Sequence, residues 1–377
     1  MKNLDLTEIR HSLHRLAEPS GYEVETHKFI VSLLNDFHPT AIHTFENSQN
    51  ILAVFDSGQP GETLLFRGDF DAVRVDETIA VPYASSTPGV AHKCGHDGHA
   101  TVLLGLAERL HQSPITRGRV LLFFQAAEET GEGAGKLLET NILEKIRPDM
   151  VFAFHNIPGE PLGTVICRPD SFTCSVISCD IELHGSTSHA SEPLKAVCPY
   201  EVAKVITDRL LALNRYDMRQ EDFCLVTLVE FRIGEQAYGV TAGHGVLRFT
   251  LRAKDDALLQ KTKAVVQNVV AEVISTESRI TSRISWKEYF AASKNHAGAV
   301  QRLQRAAERC GLAYKEKEVP FSWGEDFGLL TQHFDGALFG IGSGEGHPSL
   351  HNQQFDFPDA ILPVGVALFR ELCECGA

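Results

Sequence analysis

The sequence predicts a two-domain α/β protein: a larger domain with a mostly parallel sheet covered by helices, interrupted by a smaller ferredoxin-like α+β domain. Three observations lead there. Uninterrupted apolar runs alternate with helical patterns up to about residue 156, as strands buried on both faces do. Near residue 172 the pattern changes to alternating strands in the order β-α-β-β-α-β, the ferredoxin-like arrangement. After about residue 287 the first pattern resumes. The larger domain is therefore expected at 1–173 and 288–377 and the insert at 174–287, and 377 residues are enough for two cores.

The elements follow in order. Helical periodicity covers roughly 5–17 and 22–36. "NILAVF" (50–55) and "TLLFRGDFD" (63–71) read as buried strands. A helix is expected from His99 to about His111, with Cys94 and His96 in the loop before it. Then come the strand "RVLLFFQAAEE" (119–129), a short helix near 133–140 and the strand "DMVFAFHN" (149–156). In the insert, "TCSVISCDIELHG" (173–185) alternates as a half-exposed strand does, which leaves one face and an edge for a second copy of the chain. A helix at 199–213, strands near 224–232 and 246–253 and a long helix at 255–277 complete it. Beyond lie a helix at 297–310, the strand "ALFGIG" (337–342) and a last helix from about 359.

Composition excludes several roles. Apolar residues make up 43% and charged residues 22%, an ordinary globular balance. A net charge of −14 argues against a nucleic-acid partner, which needs clustered Lys and Arg. The opening "MKNLDLTEIRHSLHRL" lacks the apolar core of a signal peptide, and runs such as "VLLFF" are too short to span a bilayer, so no membrane partner is expected. Nine scattered cysteines fit no disulfide framework and are expected as cytoplasmic thiols. "CEC" at 373–375 reads as a helix terminus.

The polar residues sit in telling places. Asp69 and Asp71, Glu128 and Glu129, and His155 end buried strands, and a Gly-rich loop after "ALFGIG" leads to His347 and His351. The stretch "AHKCGHDGHA" (91–100) adds His92, Cys94, His96, Asp97 and His99. Taken singly, each has an ordinary reading as a cap, a turn or a surface side chain. Together they fall at the C-terminal edge of one predicted sheet, where open α/β sheets bind ligands. No second paired cluster exists for a zinc finger. Mixed Cys, His and carboxylate donors suit Zn²⁺ without excluding Mn²⁺, Co²⁺ or Ni²⁺. A divalent ion lowers the pKa of bound water to roughly 7, and two ions about 3.5–4 Å apart can share that water. The pair Glu128-Glu129 permits one carboxylate to bind metal and its neighbour to carry the proton.

The ordered strings "RGDFDAV", "HKCGHDGHATVLLG", "FQAAEETGEGA", "FAFHNIP", "GSTSHAS", "WGEDFGLL" and "LHNQQFDF" resemble the metal-dependent N-acyl amino acid amidohydrolases. That group includes hippurate hydrolase, auxin-conjugate hydrolases and N-acetyl-diaminopimelate deacetylase, with aminoacylase and carboxypeptidase G2 as relatives. The resemblance covers nearly the whole chain. It implies two divalent metal ions per chain, with Cys94 bridging them and His96, Glu129, His155 and His351 completing the ligands. It implies Glu128 as general base, Asp69 as a residue behind the ligands, and His189 as an oxyanion donor reaching a partner subunit's site. It makes the insert a lid and dimerisation domain, and the protein a homodimer that hydrolyses N-acyl amino acids.

The insert departs from the family's pattern. Ala190-Ser191, Pro193-Leu194, Cys198-Pro199 and Gly239-Val240-Thr241-Ala242 stand where the family writes other residues. Arg252 still ends the matching strand, where it can meet a carboxylate or serve the fold. Two other functions are compatible with this much: a dipeptidase or aminopeptidase acting on unblocked peptides, and a metal-binding protein without turnover. The first needs an acidic group for a free amine; the second is disfavoured by the presence of Glu128.

Overall fold

A computed structural model describes residues 4–375. The chain divides into two compact units. One runs through Phe172 and resumes at Ser293–Glu318 and again from Asp326; the other is Thr173–Ala292 with Val319–Glu325.

In the first unit, helices α1 (Leu6–Arg15) and α2 (Val24–Asp36) precede strands β1 (Ala41–Phe45), β2 (Ser48–Asp56) and β3 (Thr63–Asp69). Next come α3 (His96–Gln112), β4 (Arg119–Gln125), the short helices α4 (Gly133–Glu139) and α5 (Ile142–Ile146), β5 (Met150–Pro158), β6 (Val165–Cys167) and β7 (Asp170–Ser171). In the second unit, β8 (Ser175–His184), α6 (Tyr200–Leu211), β9 (Cys224–Ile233), β10 (His244–Ala253), α7 (Asp256–Ser275) and β11 (Thr281–Phe290) follow. The first unit then resumes with β12 (Lys294–Asn295), α8 (Ala297–Arg309), β13 (Tyr314–Glu316), α9 (Gly328–His333), β14 (Gly336–Gly344) and α10 (Leu362–Glu374).

The large sheet has the order β1-β2-β4-β3-β5-β14-β6-β13. Its heart, β4-β3-β5-β14, is wholly parallel, while β1, β2 and β6 pair antiparallel at the flanks. β3 is buried along its entire length, which explains its near-continuous apolar sequence. α3 is apolar on almost every side, from Ala100 to Leu110. Such a helix must be enclosed, and α1, α10 and β3 all pack on it. The mostly parallel sheet covered by helices is thus as the sequence predicts.

The second unit is the expected β-α-β-β-α-β sequence, folded as an antiparallel sheet in the order β11-β8-β10-β9. Ile177, Cys179, Ile181 and Leu183 of β8 share a core with α6 and α7. The other face of β8 carries Asp180, which accepts from Arg248 Nε (3.2 Å) and Lys287 Nζ (2.6 Å). One expectation fails here. β8 is interior, paired on both sides, so it offers no edge to a second copy. Alternation reports which face of a strand is wet; it says nothing of whether the strand's edges are taken. The edges belong to β9 and β11. Arg252 is half-buried and donates to the Ser322 carbonyl at 3.0 Å, a bond within its own unit.

Candidate metal centre

The parallel strands bring their C-terminal ends to one edge of the large sheet. β3 ends on Asp69, β4 leads into Glu128 and Glu129, β5 carries His155, and the segment after β14 turns back to His351. α3 opens at the same edge. Its first residue is His96, not His99, so the helix begins three residues earlier than periodicity predicts. Gly95 caps it with φ +97°, a conformation natural only to glycine. A Cβ at Gly95 would also collide with Asn156 Oδ1. This one glycine sets Cys94 and His96 side by side. His155 lies within β5 rather than beyond its end, and His351 holds a left-handed φ of 62° while its N–H donates to the Lys93 carbonyl at 2.7 Å.

Two groups of possible ligands share Cys94. Cys94, His96 and His155 form one; Cys94, Glu129 and His351 form the other, with ligand atoms in each within 4.8 Å of one another. Cys94 Sγ is 3.5 Å from His155 Nε2. Glu129 Oε1 lies 3.7 Å from His96 Nε2 and 3.4 Å from His351 Nε2. Three of the five are deeply buried: Cys94, His96 and His155.

The site's own atoms suit a cation. His96 Nε2 and Glu129 Oε1 are buried and make no hydrogen bond, a costly state for polar atoms. The other nitrogen of His96 faces Asp71 Oδ1 at 3.0 Å. That contact fixes Nδ1 as the donor and turns the Nε2 lone pair into the cluster, as in carboxylate–histidine–metal arrangements. Burial alone would lower the His96 pKa, yet Asp69 and Asp71 outweigh it and raise it to about 10. Burial, then Glu129, Glu128 and Asp69, push the Cys94 thiol well above its usual range. Burial and then His99 hold the His155 ring well below its ordinary value. The surplus carboxylate charge favours protons on His96 and Cys94, and the same charge would favour a divalent ion in their place. The donors present fit such an ion.

The two glutamates differ in surroundings. Glu129 Oε1 sits between His96 and His351. Glu128 is buried, and its Oε1 accepts from the Asp326 backbone N–H at 3.3 Å. Its other oxygen is 4.0 Å from His96 Nε2. Asp326 is itself pinned: Oδ1 accepts from Arg67 Nη2 (3.1 Å) and Gln125 Nε2 (2.6 Å), and Oδ2 from the Ala134 N–H (3.0 Å). Asp69 pairs with Arg67 and meets His99 Nδ1 at 2.6 Å and His96 Nε2 at 3.7 Å. Burial opposes its charge, but Arg67, His96 and His99 keep it well below the usual carboxylate range. Asp71 Oδ2 accepts from the Glu129 N–H (3.0 Å) and Ser20 Oγ (2.7 Å). Sequence reasoning left Arg67, Gln125 and Asp326 without roles. A charged residue inside the apolar run "LLFRGDF" was the available signal for Arg67.

Residues 65–374 match the model of peptidase family M20/M25/M40. The chain belongs to this family. An N-acetyldiaminopimelate deacetylase of Bacillus velezensis is 27% identical over 374 residues, covering 98% of this M20-family chain and 99% of that protein. One from Limosilactobacillus fermentum is 28% identical over 368 residues, covering 96% and 94%. A solved Bacillus subtilis structure, YXEP, described as a dinuclear metal binding peptidase from the M20 family, superposes with a TM-score of 0.81 at 25% identity. It covers 98% of this chain and 96% of that one.

The remaining candidates of this M20-family chain are placed as follows. His189 lies on the second unit, exposed, with its ring Nδ1 2.7 Å from Ser191 Oγ. His347 stacks edge-on against Phe355 and does not join the two ligand groups that share Cys94. His92 is buried without hydrogen bonds, and burial lowers its pKa to about 4, so it is a neutral core ring. Behind the site, His14 of α1 bridges Asp97 (2.7 Å) and Glu77 (2.9 Å). Lys93 Nζ ties Glu77 (2.6 Å) to the Phe355 carbonyl (2.7 Å). These bonds join α1 and α3 to the two loops that carry Cys94 and His351.

That support has a pH signature. Burial disfavours the His14 cation, but Asp97 and Glu77 raise its pKa to about 9, above the roughly 6.5 of an unfolded histidine. Its contribution is fully present below about pH 6.5 and is lost as pH rises through about 9, on the order of 3 kcal/mol. Urea midpoints measured across that window should fall in the wild type, and the fall should shrink in His14→Gln. An identical decline in both would show that His14 is not its source.

Proposed function

We propose that this chain is a metal-dependent amidohydrolase that cleaves the amide of N-acyl amino acids into a carboxylate and a free amino acid. The observation that carries the proposal is the pair of ligand groups sharing Cys94 beside a buried glutamate that belongs to neither. Cys94, His96, Glu129, His155 and His351 would hold two divalent ions of the Zn, Mn, Co or Ni class, as the relative described as dinuclear suggests. Such ions supply Lewis acidity, making water acidic enough to lose a proton near neutral pH and drawing charge from the amide carbonyl.

The chain's own groups do the rest. Glu128, its Oε1 held by the Asp326 N–H, takes the proton from the attacking water and returns it to the leaving amine. Asp71 keeps the His96 Nε2 lone pair facing the cluster. Asp69 fixes His99, which in turn meets Asn156 Oδ1 at 2.7 Å beside His155. His189 donates to the developing oxyanion, an effect whose loss costs about 10²–10³ in rate for a single donor.

N-acyl amino acids with a free carboxylate should exceed unblocked dipeptides in kcat/KM when Zn²⁺, Mn²⁺ and Co²⁺ are each supplied. A clear preference for free-amine dipeptides would transfer the assignment to the peptidase reading.

The proposal extends to a homodimer in which His189 serves the partner's site. Exposed Val229 and Phe231 on the edge strand β9, and Tyr200, Val205 and Leu211 on α6, support a pairing surface there. Glu128→Gln and His189→Ala chains refolded together form about half hybrids, and about a quarter of wild-type activity should return under random pairing. No recovery after verified hybrid formation would reject action in trans. Among the described residues, no helix is long and apolar enough to cross a membrane. All nine cysteines are unpaired, which supports a cytoplasmic setting.

A further inference from the structure

The outer face of the second unit's sheet carries a second group of ligating side chains. His184 ends β8, His244 begins β10, and the two are direct cross-strand partners. The next pair along is hydrogen-bonded, with the Gly185 N–H donating to the Gly243 carbonyl at 2.8 Å. His184 and His244 therefore form a non-hydrogen-bonded pair, the kind whose side chains lie closest. Their ring centroids are 4.9 Å apart. Glu182 precedes His184 by two residues and shares its face. Glu182 has Val246 and Arg283 opposite it in register, yet its carboxylate turns along the strand, bringing Oε2 to 3.5 Å from His184 Nε2.

We infer that Glu182, His184 and His244 form a surface site for one divalent transition ion, separate from the cluster at the edge of the large sheet. The ligand atoms of the three lie within 4.8 Å of one another. Ligands about 2.0–2.2 Å from a tetrahedral ion are themselves roughly 3.4 Å apart, so the Glu182–His184 spacing already fits and His244 needs only a small rotation. Apart from the ion-pair contact with Glu182, neither imidazole has a side-chain hydrogen bond to a described residue, so no existing bond holds it back. Two imidazoles and one carboxylate select Zn²⁺, Ni²⁺, Co²⁺ or Cu²⁺ over Mg²⁺ and Ca²⁺. Three protein ligands leave a fourth position for water or for a donor from another molecule. The site also lies at the root of the His189 loop. β8 passes from His184 straight into residues 185–191, and residues 239–243, which pair with that loop through His189 and Val240, lead into His244.

The test is equilibrium dialysis of the full-length chain against Zn²⁺, comparing the wild type with His184→Gln/His244→Gln. The double variant should take up one ion fewer per chain, and Mg²⁺ uptake should be the same in both. Because the readout is a difference, it does not depend on how many ions the sheet-edge cluster holds. Glu182→Gln alone should raise the free Zn²⁺ needed to fill the site. If the double variant loses secondary structure by circular dichroism, each single histidine variant supplies the same comparison. Equal Zn²⁺ uptake in a folded variant and the wild type would overturn the assignment.

Discussion

Glu128→Gln should keep its metal and lose about 10²–10⁴ of its hydrolytic rate. The side chain is buried and held by the Asp326 backbone, and Gln is nearly isosteric, so the fold and ligand cluster should survive. The amide cannot accept the proton that the attacking water must lose. Glu129→Gln is the informative contrast. Its Oε1 lies between His96 and His351 without a hydrogen bond, so the substitution should lose metal as well as turnover. Metal content and single-turnover rates on an N-acetyl amino acid separate the cases. Equal metal loss in both variants, or near-wild-type turnover in Glu128→Gln, would remove the division of labour.

The second large effect belongs to Cys94→Ala. Cys94 is common to both ligand groups, so its loss weakens both positions at once. Removing groups that merely orient ligands typically costs about 10–100-fold in metal affinity or activity, and a ligand itself should cost no less. The variant should bind fewer than two ions per chain at this cluster and turn over at least about 100-fold more slowly. Alanine leaves only a small gap beside His155, so thermal stability in the presence of chelator should change far less than activity. A full complement of metal with wild-type turnover would show that Cys94 is not a ligand.

Much of this site was legible because strand ends are legible. Apolar runs that finish on Asp69, Glu128 or His155 mark both the sheet and the edge where the candidate ligands gather, and the cysteine–histidine string points to metal chemistry. The start of α3 was harder to read. The sequence places Cys94 and His96 in a loop, yet Gly95 between them, with φ +97°, is the cap that starts the helix at His96. The interior position of β8 was hidden because alternation encodes faces rather than neighbours. The support behind the candidate ligands was hidden because it is assembled from distant segments. Asp326 meets Arg67 and Gln125, and His14 meets Asp97 and Glu77. No local pattern announces such pairs; of these residues only Arg67, a charge inside an apolar strand, stands out alone.

Two ions should be held where Cys94 joins the two ligand groups. Anomalous diffraction at the zinc edge from crystals of the Zn²⁺-loaded chain tests it most directly. Two peaks about 3.5–4 Å apart are expected among Cys94, His96, Glu129, His155 and His351, whatever is bound at His184 and His244. A single peak in that cluster, or none while the protein still hydrolyses N-acyl amino acids, would contradict it.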